Sequence, residues 1–565
     1  MKLRSKVFGG GLLLASLGSA ACGDGLPGDA PLRSVSPDTN PRSPVVAPAD
    51  LAPGGGTVGN GGTIDEPEIE REDTFRAPVV TGKYVWSANP ASGRVAIIDA
   101  ETYEIRAAEA GLRPTFIAAV GGAGANQRAL VINTGSDNAT LLELAEGGEL
   151  RTETIGLHQG ADSWSVGPSG RHAIAWTDAR KATRPDATDG FQDITVIALP
   201  ETGAAVSTRL TVGYRPTAFA FDAAGRRAFG ITQDGISVIE LDASAARLSR
   251  LVTLPSTSRT QPDVSVTPDG SRALARLEGS PLLFDIDLVS GQTRQIDLGA
   301  NLTDLDLSAD GTRAVAVLQR TTSSAPNADA GAGDADAGSD AGPDAAAPQP
   351  ASELSRAVFL PIPAGLGDAS LRQTLSSAET FRSVSLSADG AHAVLFTTAR
   401  ASSRVTLVGP DLAARTAELI APVRAVFVTA DGANAIALQD PPASSVKKGA
   451  FSVLSLTNVR APKLVASDAP AVAVALTAGS SERALVTVSN PATNSFGTYL
   501  VRTANLQVDF SSLSSEPLAS GTVPGAQKGF VAQVHPEGRI TFIDLNDGAG
   551  REITGFELSS KVVNQ

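Results

Sequence analysis

"VTPDGSRALARL", residues 266–277, decides the fold because the same pattern keeps returning. "LSADGTRAVAVL" runs over 307–318, "LSADGAHAVLFT" over 386–397 and "VTADGANAIALQ" over 428–439, each in the same phase. Aligned on the turn glycine, the series reads Gly170, Gly225, Gly270, Gly311, Gly390 and Gly432. The intervals are about 40 to 55 residues once an inserted segment at 321–353 is set aside. A repeat of that length built from short apolar strands is the pattern of a propeller blade, and each unit holds four strand candidates. In one unit these are "DVSV", "RALARL", "PLLFDIDL" and "TRQIDL", separated by "TPDG" and "VSGQ". Weaker units start near Pro78, Arg113, Ala471 and Pro517, for roughly ten in all. The expected fold class is therefore all-β, a β-propeller of four-stranded blades over residues 78–565. Its blade number stays open, because propellers typically have about four to eight blades. Either some weak units are not blades, or the array closes as two smaller rings, or the ring is unusually large. The run "IDLGANLTDLDL" (296–307) holds no Pro/Gly-rich linker between the fifth and sixth units, which favours one continuous array.

The Ser/Thr-x-Asp-Gly turn has a mechanical reading. A hairpin of this kind ends on a residue at positive φ, which glycine adopts without steric cost, while the aspartate bonds to nearby backbone. Asp269, Asp310, Asp389 and Asp431 are thus expected to be turn residues. Units that carry Ser169 or Ala224 instead agree with that, since a catalytic carboxylate would not be copied around a ring and then dropped. Three residues after the turn glycine comes alanine, at Ala173, Ala228, Ala273, Ala314, Ala393 and Ala435, with Ala129 and Ala484 in the same phase. A large apolar residue follows each time: Ile174, Phe229, Leu274, Val315, Val394 and Ile436. Both faces of a blade are buried by its neighbours, so a large face must meet a small one to reach interior packing density. The repeated stretch is read as scaffold, the innermost hairpin of each blade.

The amino terminus reads as an export signal. Lys2, Arg4 and Lys6 form its basic region, Val7 to Leu17 the short apolar region, and Ser19-Ala20-Ala21 the cleavage site. The single cysteine of the chain, Cys22, follows at once in "GSAACGDG", which resembles a bacterial lipoprotein lipobox. That pattern prefers Leu three residues before the cysteine, and Ser19 stands there, so ordinary cleavage after Ala21 is the alternative. The resemblance implies a membrane-anchored lipoprotein of the cell envelope, facing the periplasm or the cell surface, with the membrane reached through acylated Cys22. Residues 23–77 are rich in Gly, Pro, Asp and Ser and too poor in apolar side chains to fold. As a flexible coil of about 50 residues they would span roughly 40 Å, a tether. The insertion 321–353 carries Asp329, Asp334, Asp336, Asp340 and Asp344 and no basic residue. It matches neither calcium-loop pattern, so a disordered solvated loop is expected.

A net charge of −14 argues against a nucleic-acid partner, which needs a basic stripe against phosphates. One cysteine excludes an internal disulfide, a thiolate metal cage and a C-x-x-C-H haem site. With "YVWSANPASGRVAIIDAETYEI" (84–105) and the pair "GLRPT" (111–115) and "GYRPT" (213–217), the chain resembles the YVTN-type propellers of bacterial surface proteins. The "SADG" and "TPDG" hairpins are equally similar to TolB-like periplasmic propellers. Those families include adhesive or scaffolding proteins, lactonase-like enzymes and quinoprotein subunits, so the resemblance speaks for fold and not for activity.

Candidate chemistry is sparse. His172 and His392 take the position before the repeat alanine, where Arg227, Arg272 and Arg313 stand elsewhere, and are expected to be partly exposed; His158 and His535 fall in loops. No ligand spacing supports zinc, and no cofactor is expected. "SSVK" (444–447) matches Ser-x-x-Lys formally but sits in a Pro-flanked loop. More informative are the residues that lead into the innermost strands: Asp162, Thr217, Asp263, Asp304, Arg382 and Arg424, with Arg113 and Arg215 from the "RPT" turns. In a propeller these points share one face around the axial mouth, which offers a site for a protein or anionic ligand. Asp306 sits where Ser265 and Ser385 sit and, as a buried carboxylate, requires a partner: an arginine, water or a cation. Two functions follow as expectations, a non-enzymatic binding or scaffolding module, which is favoured, and an envelope enzyme of lactonase-like or other hydrolase type with a polar site at the mouth.

Overall fold

The computed structural model describes residues 78–562, apart from 122–125, 182–188, 243–244, 255–261, 322–353, 442–445, 478–481, 536 and 556–560. Cys22, the tether, nearly all of the insertion, and Ser444 and Ser445 lie outside the described residues. Ten consecutive antiparallel sheets form the blades of one ring. In chain order, blades 1 to 10 span 79–109, 114–156, 163–211, 218–253, 263–297, 302–377, 383–418, 423–467, 471–512 and 517–554. Each is a four-stranded meander, and the first strand of one blade lies against the first strand of the next, so the array winds from the inside outward. The question of blade number is thus answered by the large single ring. In blade 5 the four strands are Asp263–Val266, Arg272–Arg276, Leu282–Asp287 and Thr293–Asp297, the segments expected from the alternation.

The large-against-small rule holds from blade to blade. Phe229 packs in one core with Ala273 of the next blade, Leu274 with Ala314, Val315 with Ala393, Val394 with Ala435 and Ile436 with Ala484. Every one of these side chains is at most 1% exposed. A larger residue at any of these alanines would overpack the seam at about 1–3 kcal/mol.

The chain enters each innermost strand on what we call the top face; the Ser/Thr-x-Asp-Gly turns lie on the bottom. There Asp269 Oδ1 accepts from Thr267 Oγ1 (2.6 Å) and from Ser271 N–H (3.0 Å), while Gly270 N–H closes the turn onto Thr267 O (2.8 Å). Burial on its own would raise the Asp269 carboxyl, but the bonds from Thr267 and Ser271 outweigh it and hold the group below its usual range. Asp310, Asp389 and Asp431 repeat the arrangement. The turns also touch across blades: Ala223 N–H donates to Pro268 O (2.6 Å) and Asp310 N–H to Ala388 O (3.2 Å). Side chains before the repeat alanine reach over the same seam. Arg227 Nη2 donates to Asp269 O (3.0 Å) and Arg313 Nη1 to Gly390 O (3.0 Å). His172 takes this role too, with Nε2 2.9 Å from Asp242 O, and is buried rather than partly exposed; His392 is half-buried. At these units the position before the alanine faces a neighbouring blade, which a strand read in isolation presents as solvent, whereas Arg272 pairs with Asp285 of its own blade at 2.9 Å.

Blade 10 closes on blade 1 through Tyr103. Lys528 Nζ lies 4.3 Å and Arg551 Cζ 4.1 Å from its ring centroid, and Phe542 meets it edge-on at 5.5 Å. Lys528 Nζ also donates to Ala100 O at 2.8 Å. The strand Lys561–Val562 then returns to pair in parallel with Ile105–Glu109, so that blade 1 gains a fifth, outermost strand. The insertion joins strand Arg313–Thr321 to strand Leu354–Pro361, two strands of blade 6, at the top face.

Candidate functional site

The charged residues singled out by the repeat phase begin or adjoin innermost strands at the top face, except Asp306, which is the penultimate residue of its strand and lies towards the bottom turn; the structure distributes them among several local arrangements. Asp304 and Asp306, 3% and 1% exposed, belong to the seam of blades 6 and 7. Asp304 Oδ2 accepts from Val384 N–H (2.8 Å) and Asp306 Oδ2 from Leu386 N–H (3.2 Å). The partner required for Asp306 therefore includes a backbone amide of the next blade. Arg382 leads into that same strand: its N–H donates to Phe396 O (2.8 Å) and its carbonyl accepts from Thr303 Oγ1 (2.7 Å). Arg424 spans the following pair of blades, with Nη2 donating to Ala471 O and Nε 3.7 Å from Asp440 Oδ1. Asp263 pairs within its own blade with Arg276 (3.1 Å).

Arg113 and Arg215 share a different feature. Each adopts the left-handed conformation, φ 53° and 50°, directly before proline. That is an uncommon place for a side chain with a Cβ, and residues before proline ordinarily sit in the extended region. Strain of this kind is held in place only by surrounding structure. At the first turn Thr134 N–H donates to Arg113 O (3.1 Å) and Gly135 N–H to Leu112 O (2.9 Å); at the second, Arg215 N–H donates to Gly190 O (2.7 Å) and Nε to Asp189 O (3.1 Å). Leu112 and Arg113 are both exposed, Leu112 at 66%; Tyr214 and Arg215 are half-buried, the guanidinium 5.1 Å from the tyrosine ring.

Asp162 gathers residues from three blades that the repeat pattern did not reveal. Its Oδ1 accepts from Ser163 Oγ (2.9 Å) and Asp178 N–H (2.9 Å), and its carbonyl accepts from Lys181 Nζ (2.8 Å). Asp178, 3% exposed, is forked by Arg180, whose Nη2 goes on to Thr217 O of blade 4 (2.8 Å). Lys181 Nζ stands 4.6 Å over the Phe116 ring of blade 2. Burial raises the Asp162 carboxyl above its usual range, opposed in part by Lys181 and by its hydrogen bonds. The visible signal for this cluster was the adjacent Arg180 and Lys181 in the loop that lengthens this unit.

His158 is 5% exposed, with Nδ1 2.9 Å from Thr195 Oγ1. Burial lowers its pKa below the ordinary 6.5, so the unfolded chain takes up the proton first on acidification. Stability is therefore full above about pH 6.5 and falls as the pH drops below it, by at most ~1.4 kcal/mol per pH unit. His158→Gln is expected to flatten the acid side of a melting temperature against pH profile relative to wild type; parallel profiles would contradict the assignment.

Among the described residues no group of three or more His, Cys, Asp and Glu side chains is placed to hold a metal ion. The class that fold and top face define is a ten-bladed β-propeller. No family model and no curated protein matches the chain. Solved structures that align with it include a eukaryotic initiation factor, at 12% identity and TM-score 0.47 over 74% of this chain and 94% of that one. Others are the dihydro-heme d1 dehydrogenase NirN, at 12% and 0.40 over 86% and 80%, and the Cps50 (Swd1) β-propeller domain of Myceliophteria thermophila, at 12% and 0.30 over 60% and 95%.

Proposed function

We propose that this chain is an exported, lipid-anchored β-propeller of the bacterial cell envelope, which binds a partner on its top face and acts as a non-enzymatic binding or scaffolding module. The observation that carries the reading is the Leu112–Arg113 pair: an apolar anchor beside an arginine, both exposed on a backbone held in a strained, pre-formed turn. Rigid presentation lowers the entropic cost of association, and an arginine next to an apolar contact suits a protein partner bearing carboxylates. Arg382 and Arg424 remain part of the proposed face, but Arg424 is also a strut between blades, so its reversal would perturb the fold along with any binding.

Capture of envelope partners by the full-length protein tests this. Leu112→Asp combined with Arg113→Glu is expected to lower recovery of a specific partner by about 10²-fold, as for loss of a hot spot, with an unchanged melting temperature. Equal recovery by a folded variant would place the interaction elsewhere. Anchoring rests on Cys22 in the lipobox-like context, and Cys22→Ala is expected to move the exported protein from the membrane to the soluble fraction. A wild-type protein already soluble after export would remove the anchor. The hydrolase alternative is favoured by one observation, the contact between Ser163 and Lys181.

A further inference from the structure

The geometry points to Ser163 as a nucleophile, set between the Lys181 ammonium and the Asp162 carboxylate on the top face of blade 3 and suited to cleaving a carboxylic ester. Ser163 Oγ accepts from Lys181 Nζ at 2.7 Å and donates to Asp162 Oδ1 at 2.9 Å, so a continuous path runs from ammonium through hydroxyl to carboxylate. Each member is held by a further set of contacts. Lys181 is fixed by Asp162 O and the Phe116 ring, and Asp162 by the Asp178 amide, while Arg180 ties Asp178 to blade 4. Such second contacts give a reactive group its orientation. What sets this hydroxyl apart is its pairing with a lysine and a carboxylate, not the presence of a serine at this register position. In strand register Ser163 pairs with Trp176, and the corresponding residues of the next four blades are Ala218, Asp263, Asp304 and Ser383. Alanine, aspartate and serine all serve the scaffold there.

The chemistry balances within the cluster. As Oγ bonds to the acyl carbon, its proton passes to Asp162. The Lys181 ammonium, 2.7 Å from Oγ, is released by that hydroxyl as Oγ bonds to carbon and gives a proton to the departing alkoxide as the ester C–O bond breaks. Water then attacks the acyl-serine and returns a proton to Lys181, while Asp162 returns the first proton to Oγ. The net change is ester plus water to acid plus alcohol. Ser163 is buried, 6% exposed, so the substrate this proposal calls for is a small ester rather than a polymer.

This inference stands apart from the binding reading, since Leu112 and Arg113 take no part in it. The test is labelling of the full-length protein with a fluorophosphonate probe, alongside hydrolysis of p-nitrophenyl acetate. One modification is expected, mapped to the peptide that contains Ser163. It should be absent in Ser163→Ala and about 10²-fold slower in Lys181→Met, both with wild-type melting temperatures. Unlabelled wild-type protein, labelling retained in folded Ser163→Ala, or an unchanged rate in folded Lys181→Met would each overturn it. Should either variant misfold, the mapped site of the wild-type label decides, and wild-type labelling at another serine overturns the assignment outright.

Discussion

Gly170→Ala is expected to cost about 2–5 kcal/mol, against about 1–2 for Gly279→Ala, although both glycines sit at positive φ, 65° and 71°. The shared part is the left-handed backbone, which a Cβ disfavours. The difference is space. A Cβ on Gly170 would stand 2.0 Å from Gly121 N and 2.8 Å from Val120 C, backbone atoms of blade 2, whereas one on Gly279 meets nothing within 4 Å. Gly121 N–H donates to Gly170 O across the same seam at 3.0 Å, so relief of the clash would also break that bond. Chemical denaturation of the two variants side by side separates conformational strain from crowding. Equal losses would show that the turns do not bear on one another.

That pair of glycines also marks how far the sequence could be read. A turn that needs positive φ announces itself locally, through Asp-Gly at a fixed offset, and so does the alternation that sets Ala273 against Phe229. Both depend on neighbours a few residues away, repeated until the phase is unmistakable. The contact of Gly170 with Gly121 lies between two units and carries no local signal. The same holds for His172, whose role beside Asp242 O depends on the next blade. Blade number escaped for a related reason: every unit obeys the same local rules, and ring size is fixed by the small angle between successive blades. For the candidate site the strands' leading residues were legible by position, yet their partners were not. Arg424 meets Ala471, and Asp162 meets a lysine from the loop between the second and third strands of its blade, a connection whose length and sequence vary from unit to unit.

Asp304→Ala and Asp306→Ala are each expected to cost about 2–3 kcal/mol, because each strips a buried backbone amide of blade 7 of a charged acceptor. Val384 N–H and Leu386 N–H are those amides, and Val384 itself is 0% exposed, so water does not replace the carboxylate readily. The two carboxylates alternate with Leu305 and Leu307, which pack into the core shared with blade 5, so one strand fastens blade 6 on both sides by different means. At the seam of blades 3 and 4 the equivalent serine does the opposite: Ser165 Oγ donates to Phe219 O at 3.0 Å. One position thus joins neighbouring innermost strands by either polarity of hydrogen bond. Asp306→Asn keeps an acceptor and is expected to lose less than half as much as Asp306→Ala; Asp306→Ser, the residue of blades 3, 5 and 7, should fall between. Sharing one seam, the two alanine changes should not be additive. Urea denaturation of the series reads this directly. An asparagine variant as unstable as alanine would mean that the negative charge, and not the bond to Leu386, holds blades 6 and 7 together.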